Sequence, residues 1–388
     1  MKASRRKRRE RPRIAVYAIA RNEENHVERW AASTDEADLV VLVDTGSTDE
    51  TIRRARKVGV DVHTVSVEPF RYDAARNQAL ALLPRDIDLC VALDIDEVLV
   101  SGWRPHLEEA WRQGASRVRC SYEWPWSDVH PPQRFTTTER IHARHGYRWR
   151  FPVHEELVPL GPEVQVASGA GIRHLRDSIG TRPHYLPLLR LRAAEHPDDG
   201  RTAYLLGSEA RLNGLRDEAI FHERRALELR LAPNERLHAT LTLSYLEPES
   251  REDWLLDACA DFPERREPWC ELGQLHLERG EWRACRAAAH AALRIMDPAD
   301  DYLSNVLAWG PWPERLAALA SMELGDLEWA VHHARRARDA APMDDDQAAL
   351  FDRASTALSR RRPARLESAE PSTGDGWRRN LARARGRG

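Results

Sequence analysis

Long apolar runs are missing from this sequence. No stretch approaches the roughly 20 apolar residues that span a bilayer, and mean hydropathy is -0.62. The basic start, MKASRRKRRERPR, has no apolar signal core behind it. These absences exclude a membrane protein and predict a cytoplasmic protein outside the classical secretory route.

Cysteine is also scarce, with five residues in 388 and no C-x-x-C pair. This excludes a paired-cysteine zinc or redox site and a disulfide framework. The odd number and wide spacing predict buried free thiols in a reducing compartment. The five are Cys90, Cys120, Cys259, Cys270 and Cys285.

The near-neutral net charge of -3 hides a strong asymmetry. The first 13 residues carry eight basic residues against one acid, and residues 359–388 carry nine arginines against three acids. We therefore expect disordered basic arms at 1–12 and 359–388 on an acidic body. Such arms are either simply solvated or contact nucleic acid or an acidic partner.

Between the arms, the length allows two domains. From Arg13 to Leu99, β-type apolar runs alternate with amphipathic stretches, which favours a parallel α/β sheet covered on both faces. The predicted strands are Ile14–Ala20, Leu39–Asp44, Val60–Val67 and Leu89–Leu93, and the predicted helices are 25–34, 48–58 and 72–83. Residues 118–180 are rich in aromatics, histidine and proline, and we expect short strands and long loops there.

A helical texture begins near Pro183 and repeats. Gly214, Gly280 and Gly325 recur within similar patterns of small residues, which resemble a tetratricopeptide (TPR) array, with a degenerate copy at 237–262. Stacked units would form a concave surface for a peptide or for self-association, so a homo-oligomer is possible. An ordinary helical bundle is the alternative.

Polar residues follow three of the predicted strands, at 21–24, 44–49 and 94–97. Ligands of open α/β sheets bind at the carboxyl ends of the strands. The D-x-D of Asp94 and Asp96 is the sharpest of these features. Two carboxylates one residue apart can face one Mg²⁺ or Mn²⁺, which grips a diphosphate. Acidic residues at a strand end are otherwise common on protein surfaces.

Three segments carry a family resemblance: IAVYAIARNEENHVERW, VVLVDTGSTDETIRRARKVG and PFRYDAARNQALALLPRDIDLCVALDIDE. They resemble the nucleotide-sugar-binding half of family-2 glycosyltransferases, strongly over 13–103 and loosely over 118–175. The resemblance implies an α/β GT-A (Rossmann-like) domain at 13–180, followed by the all-α TPR-like domain at 183–358.

The resemblance also implies a donor site. Asn22 and Glu23 would line the nucleotide pocket, Asp44 would accept from the base or ribose, and Asp49 would fix its loop. An alternative for the 46–49 segment is a tight turn that caps the next helix. Arg76 would meet the base or diphosphate, unless it forms an ion pair with Asp73 or Glu68.

The resemblance also implies the metal ligands and the general base. Asp94 would bind the donor and, with Asp96, the Mn²⁺ or Mg²⁺. The segment RIHARHGYRWRFPVHEELV resembles the later part of TPR-bearing members, which makes His154 the third metal ligand and Glu155 the general base. Glu97 is the second candidate for the base, and a buried structural role is the alternative for His154.

Together these features predict a metal-dependent inverting glycosyltransferase. It would move a sugar from a nucleotide-sugar, by family habit a UDP-sugar, to a peptide or protein, as in peptide S- or O-glycosyltransferases. Two alternatives stay open. One is transfer to modified DNA bases, with the basic arms on phosphates and a steep salt dependence. The other is a non-catalytic TPR scaffold with a degenerate pocket.

Overall fold

The computed structural model describes residues 11–124, 133–175, 185–297, 305 and 307–361. Both basic arms predicted from the sequence lie almost wholly outside these ranges. Within them, no helix combines the length and apolar character that crossing a membrane requires. The chain divides into two compact units, one up to Arg251 and one from Glu252.

The first unit holds the strands. They are β1 Ile14–Ala20, β2 Leu39–Asp44, β3 Asp61–Thr64, β4 Leu89–Ala92, β5 Glu97–Leu99, β6 Arg117–Trp124, β7 Gln133–Ala143, β8 Tyr147–Arg150, β9 Glu156–Pro159 and β10 Gln165–His174. One eight-stranded sheet has the order β3-β2-β1-β4-β7-β6-β10-β5, and β8 pairs with β9 separately. The half from β3 to β4 is parallel, whereas β7 runs antiparallel to both of its neighbours.

The parallel half is buried on both faces. Alternate residues of β1 enter two different apolar clusters: Val16 packs with Trp30 and Leu107 on one face, and Tyr17 packs with Leu80 on the other. Strands covered on both sides read as continuous apolar runs, which is why β1 and β2 have the predicted bounds. The predicted α/β sheet followed by helical repeats is confirmed.

The region 118–180 differs from expectation. Besides the short strands β8 and β9, of 4 residues each, it contributes the long strands β6, β7 and β10, of 8, 11 and 10 residues, to the main sheet. In β6 the residues Val118, Cys120 and Tyr122 are buried and alternate with more exposed ones. That period of two is the pattern of a strand, and the dense aromatics obscured it in the sequence.

The described helices are α1 Val27–Ala32, α2 Thr51–Lys57, α3 Tyr72–Leu82, α4 Trp103–Arg112, α5 Tyr185–Glu195, α6 Gly200–Leu212, α7 Arg216–Glu228, α8 Pro233–Leu246, α9 Arg251–Asp261, α10 Arg266–Glu278, α11 Trp282–Arg294, α12 Trp312–Glu323, α13 Leu327–Ala340 and α14 Asp345–Arg361. Strand β10 ends at His174, and the first described helix after it, α5, begins at Tyr185. Helices α5 to α8 nevertheless belong to the same compact unit as the sheet.

Three helix pairs repeat one connection. Gly214 joins α6 to α7, Gly280 joins α10 to α11, and Gly325 joins α12 to α13, with φ of +74°, +71° and +75°. This left-handed conformation is cheap only for glycine. All five cysteines are free and buried, as predicted.

The first helix pair buries a carboxyl group. Gly207 lies so close to Glu223 that a Cβ on the glycine would be 2.9 Å from the glutamate Cγ. Glu223 Oε1 accepts from Ser208 Oγ at 3.2 Å, and Oε2 is buried without a hydrogen-bond partner among the described residues. Burial raises the pKa of Glu223 to about 8.

The buried Glu223 predicts a pH dependence of stability. The pKa of Glu223 in the folded state, about 8, lies above the ordinary value of 4.5. Between these two pH values the folded state keeps a proton on Glu223 that the unfolded state has released. The free energy of unfolding therefore falls as pH rises from 4.5 to 8, by about 5 kcal/mol in total. We expect Glu223→Gln to remove this fall in urea unfolding. The exposed Glu228→Gln should keep the wild-type profile, and equal profiles for both variants would contradict the prediction.

Candidate active site

A cavity of about 800 Å³ lies at the carboxyl ends of β1 and β4. Seven residues predicted for the site line it: Glu23, Arg76, Asp94, Asp96, Glu97, His154 and Glu155. Carboxyl ends of neighbouring parallel strands meet at one edge of a sheet, and this topology brings residues distant in sequence together. Acidic, basic and aromatic side chains line the cavity. This mixture suits a ligand that carries both charged groups and a ring.

Two guanidinium groups hold Asp94, the first carboxylate of the D-x-D. Arg76 Nη2, from α3, donates to Oδ1 at 2.6 Å, and Arg140 Nη1, from β7, donates to Oδ2 at 3.0 Å. Burial opposes ionisation of Asp94, but the two arginines outweigh it and hold its pKa well below the usual range. Asp94 is therefore a fixed negative charge with both oxygens in use.

Glu97 braces the turn that carries the D-x-D. Its Oε2 accepts from Asp94 N at 2.9 Å, and its Oε1 accepts from Tyr122 Oη at 2.6 Å and lies 3.1 Å from Arg140 Nη2. The side chain is 1% exposed, and burial raises its pKa to about 7. Three donors surround the Glu97 carboxylate, and its side chain is almost fully buried. A molecule that accepts a sugar would therefore have little access to it.

Asp96, the second carboxylate of the D-x-D, is more open, with its side chain 34% exposed. His174 Nε2 lies 3.1 Å from Asp96 Oδ2. His174 ends β10 and faces Glu97 in the antiparallel register of β10 with β5. Its ring stacks on Trp124 at 4.1 Å, and its Nδ1 is buried without a partner in the described part of the chain.

Sequence reasoning missed Arg140 and His174 at this site. The only sequence signal of His174 is its position after the apolar run of β10, and strand pairing across the sheet carries it to the D-x-D. The predicted ligand, His154, is exposed, has a left-handed φ of +48°, and contacts Tyr185 of α5 edge-on at 5.4 Å. Among the residues between 11 and 361 that the structure describes, no three or more His, Cys, Asp or Glu side chains are grouped to hold a metal.

Arg76 connects the D-x-D to Glu155, the predicted general base. It is almost fully buried, pairs with Glu155 Oε1 through Nε, and lies 5.0 Å from the centre of the Trp149 ring. Its Nη1 is buried and has no hydrogen-bond partner in the described ranges. Burial opposes its charge, but Asp94 and Glu155 raise the pKa of Arg76 above its usual value. An unpaired N–H on a permanent cation at a cavity is suited to an anionic ligand.

The loop that carries Glu155 is held from α5. Phe151 has a left-handed φ of +80° in this loop. Arg192 of α5 is fully buried; its Nη1 donates to Val153 O at 3.2 Å and His154 O at 3.0 Å. Its guanidinium also lies 3.6 Å from the centre of the Phe151 ring. A helix next to the sheet thus determines the position of the Glu155 loop.

The remaining predicted donor residues, Asn22, Asp44 and Asp49, hold the 44–51 loop in shape and do not line the described cavity. Asp44 is fully buried; its Oδ2 accepts from Gly46 N and Ser47 N at 2.9 and 3.0 Å, whereas its Oδ1 has no partner among the described residues. Asn22 Oδ1 accepts from Thr48 N at 2.8 Å. Asp49 Oδ1 accepts from Thr51 N and Oγ1, so Asp49 caps the start of α2. Of these three side chains, Asp44 is the one with a buried acceptor atom left over.

Comparisons with known proteins give partial matches. No family model and no curated protein matches the sequence. Glucosyl-3-phosphoglycerate synthase from Mycobacterium tuberculosis, solved with Mn²⁺, uridine diphosphate and glucosyl-3-phosphoglycerate, is 27% identical over 29% of this chain and 44% of its own, with a TM-score of 0.25. A thermophilic TPR protein of Thermus thermophilus is 21% identical over 45% of this chain and 89% of its own, with a TM-score of 0.30. The Cut9–Hcn1 hetero-tetramer of the APC/C is 14% identical over 46% of this chain and 33% of its chain, with a TM-score of 0.36. The chain thus spans less than half the length of the synthase.

Proposed function

We propose that this protein is a metal-dependent, inverting glycosyltransferase that uses a nucleotide-sugar donor. The observation that supports this most directly is the turn after β4. There Asp94 is clamped by two arginines, while Asp96 stays open beside His174. One carboxylate is thus committed to the protein, and the other is available to a ligand.

Asp96 and His174 fit a divalent cation. A carboxylate oxygen and an imidazole nitrogen 3.1 Å apart are acceptable ligands of one Mn²⁺, whose other positions would be filled by diphosphate oxygens and water. When bound, the cation neutralises the departing diphosphate. We therefore assign His174, in place of His154, as the imidazole ligand, and Mn²⁺ or Mg²⁺ as the ion.

Arg76 and Asp44 suit the diphosphate and the nucleoside of the nucleotide-sugar donor. Arg76 lines the cavity, so its guanidinium can donate to a diphosphate oxygen there. The unpaired Oδ1 of Asp44 is buried, so it can accept from a base N–H or a ribose hydroxyl only after the 44–51 loop shifts. Asn22 and Asp49 support the loop that carries Asp44. With these roles, the protein recognises the nucleotide part of the donor, and we expect that nucleotide to be UDP.

Glu155 is the proposed general base. Arg76 orients its Oε1, which leaves Oε2 to face an acceptor. In the transfer, the acceptor O–H or S–H gives its proton to Glu155. The acceptor atom bonds to the anomeric carbon, and the bond from that carbon to the diphosphate oxygen breaks, which inverts the centre. Glu97 instead keeps the D-x-D turn in shape.

A row of rings suits the acceptor side. Phe70, Tyr72 and Tyr185 line the cavity and contact one another edge to face, with centroids 5.0 and 6.0 Å apart. Aromatic faces bind apolar and aromatic side chains. We propose a peptide or protein acceptor on this wall. Transfer of labelled sugar to a peptide library, followed by mass spectrometry, tests it.

Thermal shift with nucleotides tests the donor site. We expect UDP with Mn²⁺ to raise the melting temperature, because a ligand at about 100 times its Kd stabilises the folded state by about 2.7 kcal/mol. His174→Ala should abolish the Mn²⁺-dependent part, and His63→Ala, on the edge strand β3, should not. No shift with UDP, GDP or dTDP would overturn the proposed function, whereas an undiminished shift in His174→Ala would overturn only the assignment of His174.

A further inference from the structure

Two histidines face each other in the second compact unit. His290 on α11 and His333 on α13 approach with their Nε2 atoms 3.3 Å apart, and their rings are tilted by 41°. Neither belongs to the cavity described above, and the proposed transferase uses neither. At this distance one Nε2 can donate a hydrogen bond to the other, or both can bind one ion.

The tautomer of His333 is set by a carboxylate. Its Nδ1 lies 2.6 Å from Glu314 Oε2, on α12, and both side chains are buried. Arg336 binds the other oxygen of Glu314. Because the carboxylate accepts from Nδ1–H, the Nε2 of His333 presents its lone pair toward His290. A carboxylate behind an imidazole in this way is the usual support of a metal-bound histidine.

The spacing of the two Nε2 atoms matches a tetrahedral ion. With metal–nitrogen distances of about 2.05 Å, nitrogens 3.3 Å apart subtend about 107° at the ion, close to the tetrahedral angle that Zn²⁺ adopts. Imidazole nitrogen is a preferred ligand of Zn²⁺. The geometry therefore favours zinc.

The two histidines lie among helices with an apolar contact surface. The surrounding helices meet through small apolar residues, such as Ala317, Ala320, Ala330 and Ala334, all fully buried. A buried histidine and glutamate cost stability in such a core unless their polar groups are satisfied. Here the carboxylate is paired with His333 and Arg336, which leaves the two facing Nε2 atoms as the groups that an ion could bridge.

We propose that His290 and His333 bind one Zn²⁺ through their Nε2 atoms. No third His, Cys, Asp or Glu joins them within the described ranges. The other positions of the ion are therefore filled by solvent or by a side chain of another molecule. The repeats thus carry a zinc site to which the described part of the chain gives two ligands.

Titration of the full-length, untagged chain with Zn²⁺ tests this site. The His174→Ala protein lacks the imidazole of the proposed donor site. We expect calorimetry to show that this protein binds one equivalent of Zn²⁺, at His290 and His333. Adding His290→Ala should abolish this binding while leaving the Glu314–His333 pair and the fold intact. His332→Ala, an exposed neighbour on α13, is the matched control and should bind as before.

Cobalt substitution gives a second measurement of the same site. Intense visible absorption of the Co²⁺-loaded protein, lost with His290→Ala, would support a tetrahedral site. Equal Zn²⁺ binding by the His290→Ala and His332→Ala proteins would overturn the proposal, as would no binding in the His174→Ala background. The two histidines would then form only a hydrogen-bonded pair.

Discussion

Replacement of Asp96 by asparagine is expected to lower turnover of a UDP-sugar by about 10³-fold, equivalent to about 4 kcal/mol of transition-state stabilisation. Asparagine keeps the size of Asp96 but removes the charge on the one D-x-D carboxylate left open to a ligand. Asp94 cannot substitute for it, because Arg76 and Arg140 occupy both of its oxygens. UDP release in a coupled assay with Mn²⁺ measures the effect.

Two controls make this test specific. Asp35→Asn changes an exposed acid in the turn after α1 and should leave turnover unchanged. Thermal melting of Asp96→Asn without ligand should match the wild type, since Asp96 is partly exposed. Full turnover by Asp96→Asn would rule out a role of this carboxylate in the chemistry.

Removal of the Arg192 side chain should also have a large effect. Its guanidinium binds Val153 O, His154 O, Thr202 Oγ1 and Asp199 Oδ2. Loss of one partner from a buried ionic network costs about 3–5 kcal/mol. We expect Arg192→Ala to destabilise the fold by about this amount and to release the 151–156 loop. Hydrogen exchange of that segment measures the release.

Arg192 acts on the reaction as a positioning residue. Because it holds Glu155 and leaves the D-x-D untouched, we expect Arg192→Lys to lower kcat while nearly preserving UDP affinity. Lysine keeps the charge but lacks the planar fork. Arg190→Ala, which removes an exposed pair with Glu218 on α7, should leave the stability close to that of the wild type. Equal effects of Arg190→Ala and Arg192→Ala would contradict this role.

Several features of the site were predictable because they depend on neighbours in the chain. Asp94 and Asp96 follow a buried strand, and the strand end alone places them at the ligand edge of a parallel sheet. Arg76 was also predicted, and the structure shows that it contacts both Asp94 and Glu155. The ion pair raised as its alternative exists, but with different acids.

Other features were not predictable from the sequence. Arg140 reaches Asp94 only because β7 runs antiparallel beside β4. His174 reaches Asp96 only because β10 pairs with β5 in one register, and a shift of one residue would turn it to the opposite face. In the sequence, His154 stood beside Glu155 and was the more visible histidine.

Local sequence is sufficient for the order of the architecture, a sheet and then helical repeats, and for the strand ends and the three glycine turns. These depend on hydrophobic period and on local φ preference, which adjacent residues set. The identity of the side chains that meet required the folded chain: Arg140 with Asp94, His174 with Asp96, Arg192 with the 151–156 loop, and His290 with His333. Those contacts join residues far apart in the chain, so strand register and helix packing control them, and no local pattern records either.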